Sequence, residues 1–129
     1  MVETEILTEY RSIAVVGASA NAERDSYKVT SYLIEHGYQV YPVNPYAKEI
    51  LGKTSYPDLG SIAEGVEVVN IFRRSEEVMP IVDQAIKIGA KAVWMQTGVV
   101  NEGAAAKARE AGLMVVMDKC IRAEHQHLI

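Results

Sequence analysis

The sequence predicts a doubly wound α/β domain built on a mainly parallel five-stranded sheet, and three observations carry that expectation. Short apolar runs rich in β-branched residues recur at residues 13–16, 38–43, 66–72, 91–95 and 113–117. Helical patterns of about ten residues or more separate most of these runs, which is the spacing of βαβ units. Residues 38–43 alternate, but the other runs are largely apolar at successive positions, as expected when helices cover both faces of a sheet.

Each element has a local cause. Ile13-Ala14-Val15-Val16 is a short buried strand that stops at Gly17. After a loop of small and polar residues, Val29, Tyr32, Leu33 and His36 fall at helical spacing over residues 27–36, with Gly37 as the stop. Residues 38–43 form a second strand that runs into the turn Asn44-Pro45. Residues 46–65 are less regular; Leu59, Ile62 and Ala63 allow one short helix, and Gly52, Pro57, Gly60 and Gly65 forbid a longer one. A third strand at 66–72 precedes Ser75, the expected N-cap of a helix that reaches Ile88 and stops at Gly89. Strand 91–95, helix 102–111 with Gly112 behind it, and strand 113–117 complete the pattern. The architecture expected is Rossmann-like.

Composition bounds the function. A chain of 129 residues is long enough for one domain, residues 1–129, with a core of its own. Hydrophobic residues make up 49% and charged residues 23%, which is globular rather than disordered. The net charge of −4 argues against a general nucleic-acid binder. Cys120 is the single cysteine, so no internal disulfide can form and a reducing cytoplasm is the expected home. The acidic start, MVETEILTEY, is neither a signal peptide nor a membrane span.

In a doubly wound sheet, ligands bind beyond the carboxyl ends of the strands, where strand order reverses. That rule selects five loops. In the first, Gly17, Ala18 and Ser19 lead from a strand into a helix; small side chains let a phosphate approach the backbone, and helix N-terminal N–H groups supply donors. Arg24 and Lys28 flank the expected helix start, a poor place for cations unless an anion is held there. The other reading is a tight turn with two solvated cations. In the second loop, Asn44-Pro45 is a turn that also offers a rigid wall for a base, bounded by Val43 and with Lys48 nearby to meet a phosphate. In the third, Phe72 precedes Arg73 and Arg74, whose guanidinium groups suit a terminal phosphate monoester or form a solvated pair. In the fourth, Gln96 and Thr97 could bond the amides of an extended ligand or merely the neighbouring loop, while Trp94 is expected in the core. In the fifth, Cys120 lies between Lys119 and Arg122, either buried and structural or exposed and reactive. His125 and His127 are expected in a solvated tail, without metal-ligand spacing.

The dinucleotide fingerprint G-x-G-x-x-G is absent, since Gly17 is followed by Ala18, Ser19, Ala20, Asn21 and Ala22. The second strand ends at Asn44 rather than at the Asp or Glu that would hold a ribose diol. An NAD(P)- or other nucleotide-dependent enzyme or redox regulator is therefore the second reading.

Taken together, IAVVGAS (13–19), RDSYK (24–28), YPVNP (41–45), FRR (72–74), GAKAVWMQ (89–96) and VVMDKC (115–120) resemble the small stand-alone CoA-binding domain proteins. That family is similar to the CoA-binding domain of the succinyl-CoA synthetase α-subunit and of NDP-forming acyl-CoA synthetases. The resemblance implies that CoA or an acyl-CoA is the ligand. By the same resemblance Gly17, Ala18 and Ser19 cradle the pyrophosphate near Arg24 and Lys28, and Val43, Asn44, Pro45 and Lys48 border the adenosine. Phe72, Arg73 and Arg74 lie by the adenine and phosphates, Gln96 and Thr97 along the pantetheine route, and Cys120 near its end. The synthetases' phosphorylated histidine and grasp domain have no counterpart in this sequence, and no catalytic constellation replaces them. The expectation is a non-catalytic sensor, carrier or thiol-protecting module, in the cytoplasm, away from membrane and nucleic acid, with a homodimer possible.

Overall fold

The computed structural model describes residues 1–129. In chain order the elements are α1 (Val2–Glu9), β1 (Ser12–Val16), α2 (Asp25–Glu35), β2 (Gln39–Val43), β3 (Glu49–Ile50), β4 (Lys53–Thr54), β5 (Val68–Ile71), α3 (Val78–Lys87), β6 (Ala92–Met95), α4 (Glu102–Glu110), β7 (Met114–Val116) and α5 (Ile121–Leu128). Short 3-10 turns stand at Leu59–Ser61 and Ser75–Glu77. Five strands form one sheet in the order β2–β1–β5–β6–β7, and every neighbouring pair is parallel. The chain steps outward from β1 to β2 and then returns to place β5 on the other side of β1. The reversal of strand order therefore falls between β1 and β5, which is where an open α/β sheet leaves a crevice.

The apolar runs build two cores because successive side chains point to opposite faces. Ile13, Val15, Val68, Ala92 and Trp94 face α1, α2 and α5, where they meet Ile6, Leu7, Val29, Leu33 and Ile121. Ala14, Val16, Val69, Ile71, Val93 and Met95 face α3 and α4, where they meet Val78, Val82, Ala85, Ala104, Ala105 and Ala108. Each fully buried Val, Leu or Ile contributes about 1.5–3 kcal/mol. Trp94 is fully buried, and its indole N–H is satisfied by the Lys119 carbonyl at 2.8 Å. This is the Rossmann-like α/β domain that the sequence predicts, with helices on both faces. No helix is long and apolar enough to cross a membrane.

Four local expectations need correction. Residues 121–128 are a helix rather than a solvated tail, and His125 is buried within it. α1 was not anticipated either; it packs against β7 and α5 with Ile6 and Leu7 buried, and the Tyr38 hydroxyl donates to the Leu7 carbonyl (2.6 Å). The irregular stretch 46–65 contains the antiparallel β3–β4 pair besides its short 3-10 turn. Ser75 does not cap a helix: it opens a 3-10 turn and its hydroxyl oxygen accepts from the Val100 N–H at 2.9 Å, tying two loops together.

α5 docks through an aromatic and histidine cluster. The Tyr32 hydroxyl lies 2.6 Å from His125 Nδ1, and His36 stacks on the Tyr32 ring with centroids 3.9 Å apart. His125 also meets the edges of His36 and Tyr38. Burial, helped by the charges of His36 and Arg11, lowers the His125 pKa below its ordinary 6.5. A base whose folded pKa is depressed stabilises the fold above its unfolded pKa, and that contribution is lost as pH falls through the folded value. Glu3 and Glu67, whose carboxyl pKa values are lowered by hydrogen bonds from Lys119 and from the Arg11 and Ser12 amides, lose their contributions only below their ordinary 4.5. The melting temperature should accordingly fall between about pH 7 and pH 5, before carboxylate protonation sets in. A His125→Gln variant, whose carboxamide oxygen can still accept from Tyr32, should flatten that slope in thermal unfolding by circular dichroism.

Candidate functional site

Gly17 organises the crevice. It sits at φ +90°, and a Cβ there would stand 2.3 Å from the Phe72 carbonyl oxygen and 3.1 Å from the Arg73 Cδ. The turn out of β1 thus crosses directly over the end of β5, with no room for a side chain. Its N–H donates to the Val43 carbonyl (3.1 Å), and the Phe72 N–H donates to the Val16 carbonyl (2.8 Å). These contacts bring the ends of β1, β2 and β5 to one point.

The second loop is fastened to the first by one side chain. Asn44 Nδ2 donates to the Ala18 carbonyl at 2.8 Å, while its Oδ1 accepts from the Tyr46 N–H at 2.8 Å. The Asn44 backbone is held in turn by Tyr56 and by the Ser55 hydroxyl. Pro45 and Tyr46 project from this anchor, and Tyr46 is 94% exposed. In the first loop the Ser19 hydroxyl oxygen accepts from the Asn21 N–H (3.0 Å), which leaves its proton free to donate outward. Arg24 is the N-cap of α2 and no side chain bonds the helix start. Asp25 occupies the first turn and Glu23 precedes it, so carboxylates already offset the cations there.

These segments enclose a cleft of about 840 Å³. Of the residues singled out from the sequence, Gly17, Ala18, Ser19, Arg24, Val43, Asn44, Pro45, Phe72 and Arg73 line it together. Six others do not. Lys28 and Lys48 are exposed beside it. Arg74 points to solvent and pairs with Glu76 and Glu77. Thr97 is exposed, Gln96 is buried beneath the loops, and Cys120 is half-buried at the start of α5. The cleft also takes Tyr46, Pro57, Asp58, Leu59, Ile81 and Gln84, none of which the sequence singled out.

Charge in the cleft is mixed. Glu23, Asp25, Asp58 and Glu77 line it together with Arg24 and Arg73. Arg73 Nε donates to Glu77 Oε2 at 2.8 Å, and the arginine side chain is 45% exposed. A partly solvated pair of this kind contributes roughly 0–1 kcal/mol, so an incoming phosphate can compete for Arg73 at small cost. The volume is that of a ligand pocket, which typically measures about 300–1,000 Å³.

Comparison with known proteins decides the family: residues 11–126 match the model of the CoA binding domain. The chain belongs to the CoA-binding domain family. This CoA-binding domain is 38% identical over 121 residues to the uncharacterized protein YneT of Bacillus subtilis, a match spanning 94% of the chain and 90% of YneT. A hypothetical protein from Pyrococcus horikoshii superposes with a TM-score of 0.95 at 49% identity, covering 98% of this chain and 89% of that one. The domain is also 30% identical over 96 residues to an ADP-forming acetate–CoA ligase of Archaeoglobus fulgidus, which covers 72% of this chain and 14% of the ligase.

A Gly17→Ala substitution should destabilise the domain by about 2–4 kcal/mol, because it combines a positive φ with a backbone clash. The shift of the urea unfolding midpoint measures this.

Proposed function

We propose that this domain binds CoA in the cleft at the β1/β5 crossing, and that it acts as a sensor, carrier or thiol-protecting module rather than as a catalyst. The observation that carries the reading is the convergence of the Gly17, Asn44 and Arg73 loops on one ligand-sized cleft in a chain of this family. In this reading the pyrophosphate lies against Gly17, Ala18 and Ser19 at the uncapped start of α2, where backbone N–H groups and the Ser19 hydroxyl are donors. Val43, Asn44 and Pro45 border the adenosine, and the exposed Tyr46 adds an aromatic face beside them. Arg73 exchanges Glu77 for a ligand phosphate, and Phe72 packs by the base. Lys28, Lys48 and Arg74 contribute attraction from the rim. The arm then runs toward Gln96, Thr97 and Cys120, with or without an acyl group on its thiol.

The alternative of an NAD(P)-type ligand is weakened by the geometry of Asn44. Its amide is committed to Ala18 and Tyr46, so the end of β2 offers no carboxylate to a ribose diol.

Thermal unfolding with CoA, dephospho-CoA, acetyl-CoA and NADH at matched concentration tests the reading. A ligand of the folded state stabilises it by about 2.7 kcal/mol at a hundredfold excess over Kd. The expected order is CoA above dephospho-CoA, with NADH weakest; stabilisation by NADH alone would leave the fold and overturn the ligand. Calorimetry should show Arg73→Ala weakening CoA binding by roughly tenfold, the loss of one charge-assisted contact. Glu77→Gln, which frees Arg73 and removes a like charge from the phosphates, should strengthen binding by about two- to fivefold.

A further inference from the structure

Two side chains hold α5 to the domain. The helix is eight residues long, ends one residue short of Ile129, and packs on α1 and α2. Ile121 and His125 are its only buried residues. A terminal element with so few buried contacts is the first to open in a folded domain. One of its two anchors is a titratable base.

The surroundings of His125 suit a neutral ring and oppose a charged one. From α2, the Tyr32 hydroxyl lies 2.6 Å from Nδ1, where a neutral ring accepts its proton. At the end of α2, the His36 ring stands 5.2 Å away between centroids, with its Nδ1 held 2.8 Å from the Tyr32 carbonyl. Tyr38 meets the His125 ring edge and carries the Arg11 guanidinium over its own face at 5.3 Å. On α5 itself, Arg122 stands one turn earlier and its charge acts on Tyr32. The carboxylates of the neighbouring elements are engaged elsewhere or turned out. Glu3 pairs with Lys119, Glu67 accepts from the Arg11 and Ser12 amides, and Glu35 accepts from Ser31. Glu5 and Glu9 are exposed, and the charge of Glu124 acts on Lys119. No carboxylate forms an ion pair with a histidine. A protonated His125, only 9% exposed, is therefore a buried cation among cations, and undocking returns that charge to water.

The chain before the helix is fastened independently. The Trp94 indole N–H donates to the Lys119 carbonyl (2.8 Å), and the Lys119 N–H donates to the Met95 carbonyl (3.3 Å). The Asp118 carboxylate accepts from the Gly98 N–H (2.7 Å). None of these bonds involves a histidine, so the loss of α5 stops at Cys120.

We infer that α5 is an acid-released clasp: protonation of His125 undocks residues 121–129 from α1 and α2 while the parallel sheet stays folded. Release uncovers the part of the core that Ile121 shares with both helices. The inference is independent of the ligand in the cleft. Burial and the charges of His36 and Arg11 hold the docked ring below its ordinary 6.5, so the released ring binds the proton more tightly. Release is therefore favoured as pH falls from 6.5 toward the lower docked value.

Amide hydrogen exchange of the full chain between about pH 7.5 and pH 5.5, corrected for the intrinsic rate at each pH, tests this. An undocked helix of this length has no stability of its own, so its amides exchange on release. Residues 121–128 should exchange roughly a hundredfold faster than the core amides of β1 and β5 at every pH. Their protection should fall by up to about tenfold per pH unit below 6.5. Protection equal to that of the strands overturns the inference, since α5 then opens only with the whole domain. Protection of α5 that does not change with pH overturns it too. His125→Gln keeps an acceptor for Tyr32 and should abolish the pH dependence in α5, whereas His127→Gln, at an exposed position, should leave it as in the wild type. A His125→Gln chain that retains the dependence overturns the inference. Should that variant not fold, the ring resonances of His125 in the wild type decide: their titration should span the pH range in which α5 loses protection, and a ring that titrates outside that range overturns the inference.

Discussion

The close passage of the Gly17 turn over the Phe72 carbonyl is the constraint on which the rest depends. It exists because one residue without a side chain, at positive φ, lets the backbone leaving β1 touch the backbone ending β5. Those two strands are neighbours in the sheet but are separated in sequence by α2, β2 and residues 44–67. Their contact therefore closes the longest connection between neighbouring strands of the sheet. It also fixes the place where Ala18 and Asn44 bond and where the Arg73 side chain begins. A cleft whose walls come from segments this far apart keeps its shape only while that point holds.

The two faces of the sheet divide the work unequally. The face covered by α3 and α4 is packed with small alanines and β-branched residues and carries few polar groups. The opposite face holds the Asn70–Gln96 pair, the Trp94 indole bonded to Lys119 and the histidine cluster that seats α5. Polar groups inside a core fix geometry when they are satisfied and cost stability when they are not. The structure shows both outcomes within one layer: the indole N–H is paired and the Asn70 amide N–H is not.

Much of this was legible before any coordinates. The five apolar runs gave the strands, since burial on both faces leaves an unbroken hydrophobic signature, and the crossover helices gave the parallel order. The rule that ligands sit beyond strand ends led to Gly17, Asn44 and Arg73 and passed over chemistry elsewhere in the chain. What stayed hidden is tertiary in origin. α5 has few apolar residues, and Ile121 and His125 are buried only because α1 and α2 are there to receive them. The β3 and β4 strands are two residues each, too short for any periodicity. Ile81 and Gln84 reach the cleft from α3 through packing alone, and Asp58 and Leu59 from an irregular connection. Glu77 meets Arg73 at the end of the 3-10 turn 75–77, a geometry that no sequence periodicity announces.

The outer border of the sheet carries a last consequence. β2 is the edge strand, and it contains Pro42, which has no N–H to offer. Tyr56 then lies alongside in parallel, donating to the Pro42 carbonyl and accepting from Asn44. The hydrogen-bonding positions through which another chain might add a strand near the cleft are thereby already filled or missing. Only β7, three residues long, remains an open border. Fibril-like stacking, the usual hazard of a bare sheet edge, is thus discouraged by the same strap that holds the Asn44 loop in place.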